Sequence, residues 1–385
     1  MPALSARLPS PTPEALAHSA RVVAHIHAEI VAAGGWIPFA RYMELALYAP
    51  GLGYYAGGAA KFGGAGDFIT APELTPVFGQ TLAQAAAETL AQTGGDLLEL
   101  GAGSGKLARD ALLELECLGR LPECYLILET SPDLRQRQHA LLAADAPHLL
   151  DRVVWLDGLP ERHIGVIWAN EVLDALPVHL VHWTPDGVLE RGVSGGDAGF
   201  AWADRPIALP ALAQAVAGLA VEAPYLSEIN LAAPALIASL AQRLERGLML
   251  CIDYGFPRAE FFHPQRHMGT LKLHYRHHSL DDPFFLPGLA DITAHVDFSA
   301  VAAAGREAGL DLLGYDAQAR FLINAGLPQR LLGLDPATPA YLRTAAAVQQ
   351  LVQPSEMGEL FKVIALGRGV AAPTAFARGN RSHTL

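Results

Sequence analysis

A glycine-rich turn, Gly101-Ala102-Gly103-Ser104-Gly105, directly follows the short apolar run Asp96 to Leu100. This run is preceded by Gly94-Gly95 and predicts a buried strand, and Lys106 to Leu118 predicts a helix. Because glycine has no Cβ and tolerates positive φ, the backbone of such a turn can approach a ligand closely, and the first turn of the helix presents free N–H groups. The strand, turn and helix together predict a site for a flat, polar ligand.

The spacing of the glycines excludes two common nucleotide-binding motifs. The dinucleotide fingerprint requires a glycine where this chain has Lys106, and the P-loop requires a glycine at Leu100 and a serine or threonine at Leu107. The remaining pattern, G-x-G-x-G after the acidic strand residue Glu99, resembles motif I of the class I S-adenosylmethionine (SAM) methyltransferases. This resemblance implies SAM as the cofactor. The residues that it places against SAM are the glycines Gly101, Gly103 and Gly105.

An acidic residue at the end of the next strand supports the same cofactor. The apolar run Cys124 to Glu129 predicts that strand, with the Glu129 carboxylate at its tip. A carboxylate there can accept hydrogen bonds from both ribose hydroxyls, as in other ligand sites at the carboxyl ends of doubly wound sheets. The alternative is a structural turn followed by an incidental glutamate, which the combination of both features disfavours.

Three later apolar runs predict further strands, and their alternation with helices makes the sheet parallel. These runs are Arg152 to Trp155, Ile164 to Ala169 and Leu248 to Asp253. Asp157 follows the first run and can reach the adenine amino group, although a plain exposed loop acid is an equally good interpretation. Asn170 follows the second run, beside the position that the transferred methyl group must occupy.

Glu171 and Asp174 are the candidate catalytic residues. Methyl transfer from a sulfonium needs an aligned nucleophile and, where that nucleophile is protonated, a group that removes the proton. Carboxylates would clamp and polarise an arginine guanidinium, whose pKa lies above ~12, through paired hydrogen bonds. Three residues apart on a turn, Glu171 and Asp174 can face one pocket. Alternatively, Asp174 only caps a helix that leads to Pro177.

Six histidines between His263 and His295 raise the question of a metal site, and His263 and His267 have helical ligand spacing. Pro264 interrupts that pair, no glutamate follows the first histidine as in a metalloprotease helix, and no cysteine is nearby. We therefore expect no metal site.

A series of motifs is spread in order along nearly the whole chain. They include Tyr48 to Tyr55, Gly66 to Glu73, Glu129 to Pro132, Asn170 to Pro177, Asp253 to Gly255, Gly269 to Leu271, Asp291 to Phe298 and Met357 to Val363. Together they resemble the MidA-like methyltransferases, the family of complex I assembly-factor protein arginine methyltransferases. Two positions depart from the family pattern: Ala71 stands where a serine is usual, and Lys106 stands where a small residue is usual.

This resemblance implies a class I SAM methyltransferase fold of the α/β class: a Rossmann-like, doubly wound sheet with an N-terminal helical lid and a substrate-side insertion. It implies methylation of an arginine side chain on a protein, with a respiratory NADH dehydrogenase subunit as the target. The further residues that it implies in SAM binding are Gly66, Thr70, Glu73 and Thr130.

Two other functions stay open, because nothing in the insertion specifies a substrate. One is methylation of a small molecule or of another protein nitrogen, and the other is a SAM-binding assembly chaperone without catalysis. The formal charge of −12, from 27 basic and 39 acidic residues, disfavours nucleic acid as a partner and is compatible with a basic protein segment.

The most apolar window, Ile207 to Leu226, is interrupted by prolines and by Glu222, so we expect no membrane span. The N-terminus has no apolar leader segment, which predicts a cytoplasmic protein. The predicted organisation is N-terminal helices with a glycine-rich lid loop (1–90), the first half of the SAM-binding core (91–177), an insertion of a hairpin and helices (178–246), the second half of the core (247–370) and a disordered tail (371–385).

Overall fold

The computed structural model of this chain describes residues 8–57, 70–196 and 199–385. These residues belong to two compact units. The first unit is drawn from Met1–Ile69, Ala175–Leu231 and Pro264–Ala294. The second unit is drawn from Thr70–Asp174, Ala232–His263 and His295–Leu385.

The α-helices of the described residues are α1 (Pro13–Ala32), α2 (Phe39–Tyr48), α3 (Ala71–Leu74), α4 (Pro76–Thr93), α5 (Lys106–Cys117), α6 (Pro132–Asp145), α7 (Pro210–Ala217), α8 (Ala232–Arg243), α9 (Arg258–Phe261), α10 (Phe298–Glu307), α11 (Gln318–Asn324), α12 (Leu327–Leu332), α13 (Pro339–Val352) and α14 (Met357–Leu360). None of them is both long and apolar enough to span a membrane.

The strands in the same parts of the chain are β1 (Ile37–Pro38), β2 (Asp96–Leu100), β3 (Tyr125–Leu128), β4 (Val153–Leu156), β5 (His163–Asn170), β6 (His179–Thr184), β7 (Gly187–Gly196), β8 (Gly199–Pro206), β9 (Tyr225–Ile229), β10 (Leu244–Phe256), β11 (Lys272–Tyr275), β12 (His278–Leu280), β13 (Asp291–Thr293), β14 (Val296–Asp297), β15 (Asp311–Ala317) and β16 (Phe361–Arg368).

The second unit is built on one sheet, in the order β15-β16-β10-β5-β2-β3-β4, with β14 added beside the end of β10. The pairs from β4 through β10 are parallel, and β16 runs antiparallel to both β10 and β15. Leu98 at the centre of β2 pairs with Leu126 on one side and Ile167 on the other. The predicted doubly wound α/β fold of the class I methyltransferases is confirmed.

Helices bury their apolar faces against this sheet. Phe78 of α4, Leu112 of α5 and Trp168 of β5 belong to one core and are at most 1% exposed. Helices α4 and α5 also approach each other closely, because a Cβ built on Gly79 would lie 2.9 Å from Cβ of Asp110. Glycine at position 79 is therefore required by helix packing.

The first unit contains the predicted hairpin. Strands β6 and β7 pair antiparallel around a tight turn, with Thr184 opposite Gly187. Strand β9 pairs with β6, while β8 and the short β1 pair with β7. A separate three-stranded sheet has the order β12-β11-β13. The sequence analysis did not predict β8, β9 or this small sheet, since their apolar alternation is short and interrupted.

The Gly269-Thr270-Leu271 motif of the first unit has a structural explanation. The buried Glu228 carboxylate accepts hydrogen bonds from Thr270 N at 2.9 Å and from Leu271 N at 2.8 Å. A Cβ on Gly269 would lie 2.4 Å from a carboxylate oxygen of Glu228, so only glycine fits there. This motif anchors a loop to β9, a role that its sequence alone does not indicate.

The prediction that residues 371–385 form a disordered tail is wrong. Phe376 is 4% exposed and packs against Phe321 with ring centroids 5.1 Å apart, and a Cβ on Gly314 would collide with its ring. Thr374 N also donates to Glu88 Oε2 at 2.8 Å. The segment is held by one aromatic side chain and individual polar contacts, which leave no periodic pattern in the sequence.

Two of the predicted boundaries fall within elements of the structure. The predicted boundary at residue 90 falls within α4, which belongs to the second unit together with α3. The predicted insertion ends at residue 246, which falls within β10, because α8 ends at Arg243 and β10 begins at Leu244. The glycine-rich lid loop, including Gly66, lies outside the described residues for 58–69.

Candidate active site

The glycine turn lies at the carboxyl end of β2, where ligand sites of doubly wound sheets occur. Its three glycines have positive φ values of 62° for Gly101, 54° for Gly103 and 86° for Gly105. A Cβ on Gly105 would lie 3.2 Å from atoms of Gln138 on α6. Both the backbone conformation and the neighbouring helix therefore restrict these positions, and the predicted strand, turn and helix are present as expected.

Glu129 and the turn are joined by Gln138. The Gln138 side-chain amide donates to Gly103 O at 3.0 Å and to Glu129 Oε2 at 3.2 Å, and it accepts from Trp155 Nε1 at 2.9 Å. The sequence analysis missed Gln138. The available signal was its position on the apolar stripe of α6, between the buried Leu134 and Leu142.

The Glu129 carboxylate keeps capacity for a ligand. Oε1 accepts a hydrogen bond from Ser131 N at 2.9 Å, so with Gln138 and the backbone of Thr130 the carboxylate has three protein donors for its roughly four lone-pair sites. Burial is the main cause that raises the pKa of Glu129, and the donors from Ser131 and Gln138 oppose it. This chemistry fits a diol whose two hydroxyls donate to one carboxylate. Thr130 follows as an exposed residue.

Asp157 lies just beyond β4 and is anchored through Arg135. Arg135 donates to Glu129 O at 2.6 Å and to Asp157 Oδ1 at 2.8 Å. The Asp157 side chain is 96% exposed, so one carboxylate oxygen remains open to solvent or to a ligand. The structure thus places the predicted residues from β2, β3 and β4 along one edge of the sheet.

Glu73 holds the start of α5. Ser104 Oγ donates to Glu73 Oε1, and Lys106 Nζ forms an ion pair with Glu73 Oε2 at 2.6 Å. The Glu73 side chain is only 7% exposed. The extra charge of Lys106 is therefore paired within the protein. Thr70 occupies the N-cap position of α3 without a capping hydrogen bond from its side chain.

Asn170 and Glu171 end β5 at the same edge. Glu171 has a φ of 53°, which is uncommon for a residue other than glycine. Its Oε1 accepts from Asn170 Nδ2 at 3.1 Å and from Ala71 N at 3.4 Å. Within the described residues, the buried Asn170 Oδ1 has no hydrogen-bond partner. An acceptor left unsatisfied beside a carboxyl group suits a ligand that brings N–H donors.

Asp174 is buried, with 6% exposure, and accepts a hydrogen bond from Tyr254 Oη. Asp253, which is fully buried, accepts from Leu173 N at 2.9 Å and from Asp174 N at 3.2 Å. The helix-cap alternative for Asp174 is wrong, because turns and not a helix follow Glu171. The sequence analysis quoted Asp253 and Tyr254 in a motif but assigned them no role.

Three carboxyl groups in this region influence one another. Burial raises the pKa of Glu171 to about 8, and the charge of Asp174 adds to the shift. Burial also raises the pKa of Asp253 well above its ordinary value, followed by the charges of Asp174 and Glu171. A bound cation would relieve this repulsion. No group of three or more metal-ligating side chains that could hold an ion is present in the described parts of the chain.

Comparisons with known proteins agree with this geometry. A family model described as "Putative S-adenosyl-L-methionine-dependent methyltransferase" matches residues 80–316. A crystal structure of a "likely methyl transferase" from Burkholderia thailandensis, bound to S-adenosyl-homocysteine, is 53% identical, with a TM-score of 0.95, and the match covers 98% of this chain and 100% of that one.

Curated relatives give the same family. "Protein arginine methyltransferase NDUFAF7, mitochondrial" from Rattus norvegicus is 32% identical over 91% of this chain and 85% of the relative. The protein of that name from Danio rerio is 30% identical over 89% of this chain and 85% of the relative. Because these relatives are named as mitochondrial proteins, the predicted cytoplasmic location is wrong. The chain belongs to the MidA-like family of SAM-dependent methyltransferases and is an enzyme of that class.

Proposed function

We propose that this methyltransferase acts on the guanidinium group of an arginine side chain in a protein. The observation that carries the proposal is the group of three carboxyls, Glu171, Asp174 and Asp253, at the end of β5 and β10. The names of the curated relatives support the same acceptor. The proposed acceptor is cationic, and a cation is the ligand that such a group favours most.

The residues proposed to hold SAM come from the edge of the sheet. The glycines of the turn allow close approach of the ligand, Glu129 accepts from two hydroxyls, and Asp157 is open to an amino group. Asn170 Oδ1 offers an unused acceptor. Bound SAM supplies a methyl group that is already electrophilic, so the chain has to align the acceptor nitrogen and manage its proton.

Glu171 is proposed to align the acceptor nitrogen and to accept its proton. In the free protein its pKa of about 8 leaves much of it protonated at neutral pH. A guanidinium beside it favours the carboxylate, so the proton is released and a charge-assisted hydrogen bond forms. As the acceptor nitrogen forms its bond to the methyl carbon, the carbon–sulfur bond breaks and the nitrogen loses a proton. The Glu171 carboxylate accepts that proton.

The proposed protein partner is a respiratory NADH dehydrogenase subunit. This step rests on the family resemblance and on the name of the curated relatives, and the charge of −12 is compatible with a basic segment as substrate.

The test is to incubate the protein with methyl-labelled SAM and a lysate from a strain that lacks it, and to find the labelled residue by mass spectrometry. We expect label on arginine, and loss of at least about 100-fold of the transfer rate in Glu171→Gln with SAM affinity changed by less than about threefold. Glutamine keeps the size and the acceptor oxygen of Glu171 but cannot accept the proton.

Glu99→Gln is the matched control. Glu99 is a second glutamate whose pKa is raised to about 8 by burial, but it lies within β2 and accepts from Tyr125 Oη at 2.6 Å. This variant should keep its transfer activity. Label on a metabolite would contradict the arginine acceptor, and SAM binding without any transfer would favour a chaperone.

A further inference from the structure

Three consecutive residues of β10 hold the turn that carries Glu171. Glu171 N donates to Ile252 O at 2.9 Å, which continues the pairing of β5 with β10. The Asp253 carboxylate accepts from two amides later in the turn, Leu173 N at 2.9 Å and Asp174 N at 3.2 Å. Tyr254 Oη then donates to the Asp174 carboxylate. Residues 171, 173 and 174 of the turn are thus bound to β10.

Both oxygens of the Asp253 carboxylate accept hydrogen bonds from backbone amides. Its Oδ2 accepts the two amides of the turn, and its Oδ1 accepts Tyr254 N at 2.9 Å. The side chain is 0% exposed. Burying a carboxyl group is unfavourable unless its oxygens are satisfied, and here three amides satisfy them.

The 171–174 turn has an unfavourable backbone conformation at Glu171, the residue proposed to accept the proton during methyl transfer. Glu171 has a φ of 53°, and such a backbone conformation persists only where neighbouring contacts over-determine it. Contacts from β10 hold this conformation, because Asp253 accepts hydrogen bonds from the amides of Leu173 and Asp174, two and three residues after Glu171. Loss of these contacts would allow Glu171 to return to ordinary φ values and would turn its side chain away.

We propose that Asp253 is a positioning residue for methyl transfer, which fixes the 171–174 turn so that the Glu171 carboxyl meets the acceptor nitrogen. The proposal rests on the proposed role of Glu171, but it does not require that the acceptor be arginine. Asp253 itself touches the backbone of the turn and not the substrate.

The experiment compares Asp253→Ala, Asp253→Asn and Asp316→Asn. Asparagine keeps an oxygen that can accept the two amides, whereas alanine removes every acceptor. Asp316 is the matched control, since it is also 0% exposed and accepts the amide of the following residue, Ala317 N at 2.8 Å, but lies on β15. Transfer of label from SAM is counted in whatever acceptor the parent protein modifies.

We expect Asp253→Ala to lower kcat by about 100-fold, because a misplacement of about 1 Å has that effect. Its KM for SAM and its SAM affinity by calorimetry should change by less than about threefold. Asp253→Asn should recover most of kcat, and Asp316→Asn should resemble the parent. Equal losses of kcat and of SAM affinity in Asp253→Ala, or no recovery in Asp253→Asn, would overturn the proposal.

Hydrogen exchange of the 171–174 amides gives an answer without an acceptor. Exchange should be faster at Leu173 and Asp174 in Asp253→Ala and unchanged in Asp316→Asn. Unchanged exchange in Asp253→Ala overturns the positioning role. If the parent labels no acceptor, the proposed function fails while this measurement still decides the role of Asp253. If Asp253→Ala does not fold, Tyr254→Phe removes one contact of the same turn and should show a smaller loss of kcat.

Discussion

The two ends of the site use different chemistry to do different tasks. At the cofactor end, the Glu129 carboxyl lies beside the Gly101 to Gly105 turn and accepts hydrogen bonds from two uncharged groups, Ser131 N and the Gln138 amide. At the acceptor end, burial and then the charge of Asp174 raise the pKa of Glu171, while burial and then the charges of Asp174 and Glu171 raise the pKa of Asp253. The first arrangement is satisfied before a ligand arrives, whereas the second is relieved by one.

The two ends also differ in how their shape is maintained. The cofactor turn has the conformation that its own glycines permit, and its neighbours β2 and α5 are contiguous with it in sequence. The acceptor turn has a positive φ at Glu171, which has a side chain, and it depends on contacts from Asp253 and Tyr254, about 80 residues away. Local sequence therefore specifies the cofactor end, and tertiary contacts specify the acceptor end.

The largest effect that separates the two ends should come from Gly105→Ala. A Cβ at this position meets Gln138 at 3.2 Å and disfavours the φ of 86°. Since Gln138 also holds Glu129, we expect SAM affinity by calorimetry to fall by about 100-fold.

The matched control for that variant is Gly119→Ala. Gly119 also has a positive φ, 63°, but no atom within 4 Å of a built Cβ. Both variants should lose about 1 kcal/mol of unfolding free energy from backbone strain, and only Gly105→Ala should lose SAM affinity. Equal SAM affinities in the two variants would remove the turn from the cofactor site.

A smaller effect is expected from Glu129→Ala. Removing the carboxylate should weaken SAM binding by about 1 to 3 kcal/mol, because two hydroxyl partners lose their acceptor. Glu123→Ala, an exposed glutamate before the start of β3, is the control and should bind SAM as the parent does. If Glu129→Ala lowered kcat without weakening SAM binding, Glu129 would belong to the acceptor end of the comparison instead.

The difference between the two ends also explains what the sequence could predict. Strand β2, its turn and α5 follow from an apolar run, glycines and a helical pattern in adjacent residues, and Glu129 follows from the next strand. Strand β10 follows in the same way from the apolar run Leu248 to Asp253. Asp253 was not assigned a role, because its contacts with Leu173 and Asp174 join distant parts of the chain and leave no local spacing to detect.

Gln138 and Phe376 are two more residues whose roles depend on long-range contacts and were not predicted from the sequence. Gln138 is a polar residue on the buried stripe of α6, a signal that was present but ambiguous, since buried glutamines also occur without a ligand. Phe376 fixes the C-terminal segment through its packing against Phe321, and one aromatic residue in a stretch that contains Pro, Gly, Asn and Ser without periodicity does not predict order. Single long-range contacts, rather than periodic patterns, made these features unpredictable.

The last expected effect is a pH dependence of stability that distinguishes the two ends through Glu99 and Glu171. Both carboxyls have pKa values raised from 4.5 to about 8 in the folded protein. A raised carboxyl pKa means that the folded state binds the proton more tightly than the unfolded state. The stability linked to that proton is therefore fully present below about pH 4.5 and is lost as the pH rises through about 8.

Glutamine cannot lose a proton, so Glu171→Gln and Glu99→Gln should each gain stability relative to the parent between pH 5 and pH 9, on the order of 1 to 3 kcal/mol in urea unfolding. Adding an acceptor peptide that contains an arginine should then distinguish the contribution of Glu171 to the pH dependence of stability from that of Glu99. The arginine cation of the peptide lowers the pKa of Glu171 and so reduces the pH dependence of stability that Glu171 contributes. Glu99 lies within β2, so its contribution to the pH dependence of stability should not change. A peptide that altered the Glu99 contribution as much as the Glu171 contribution would show that the two ends of the site are not chemically distinct.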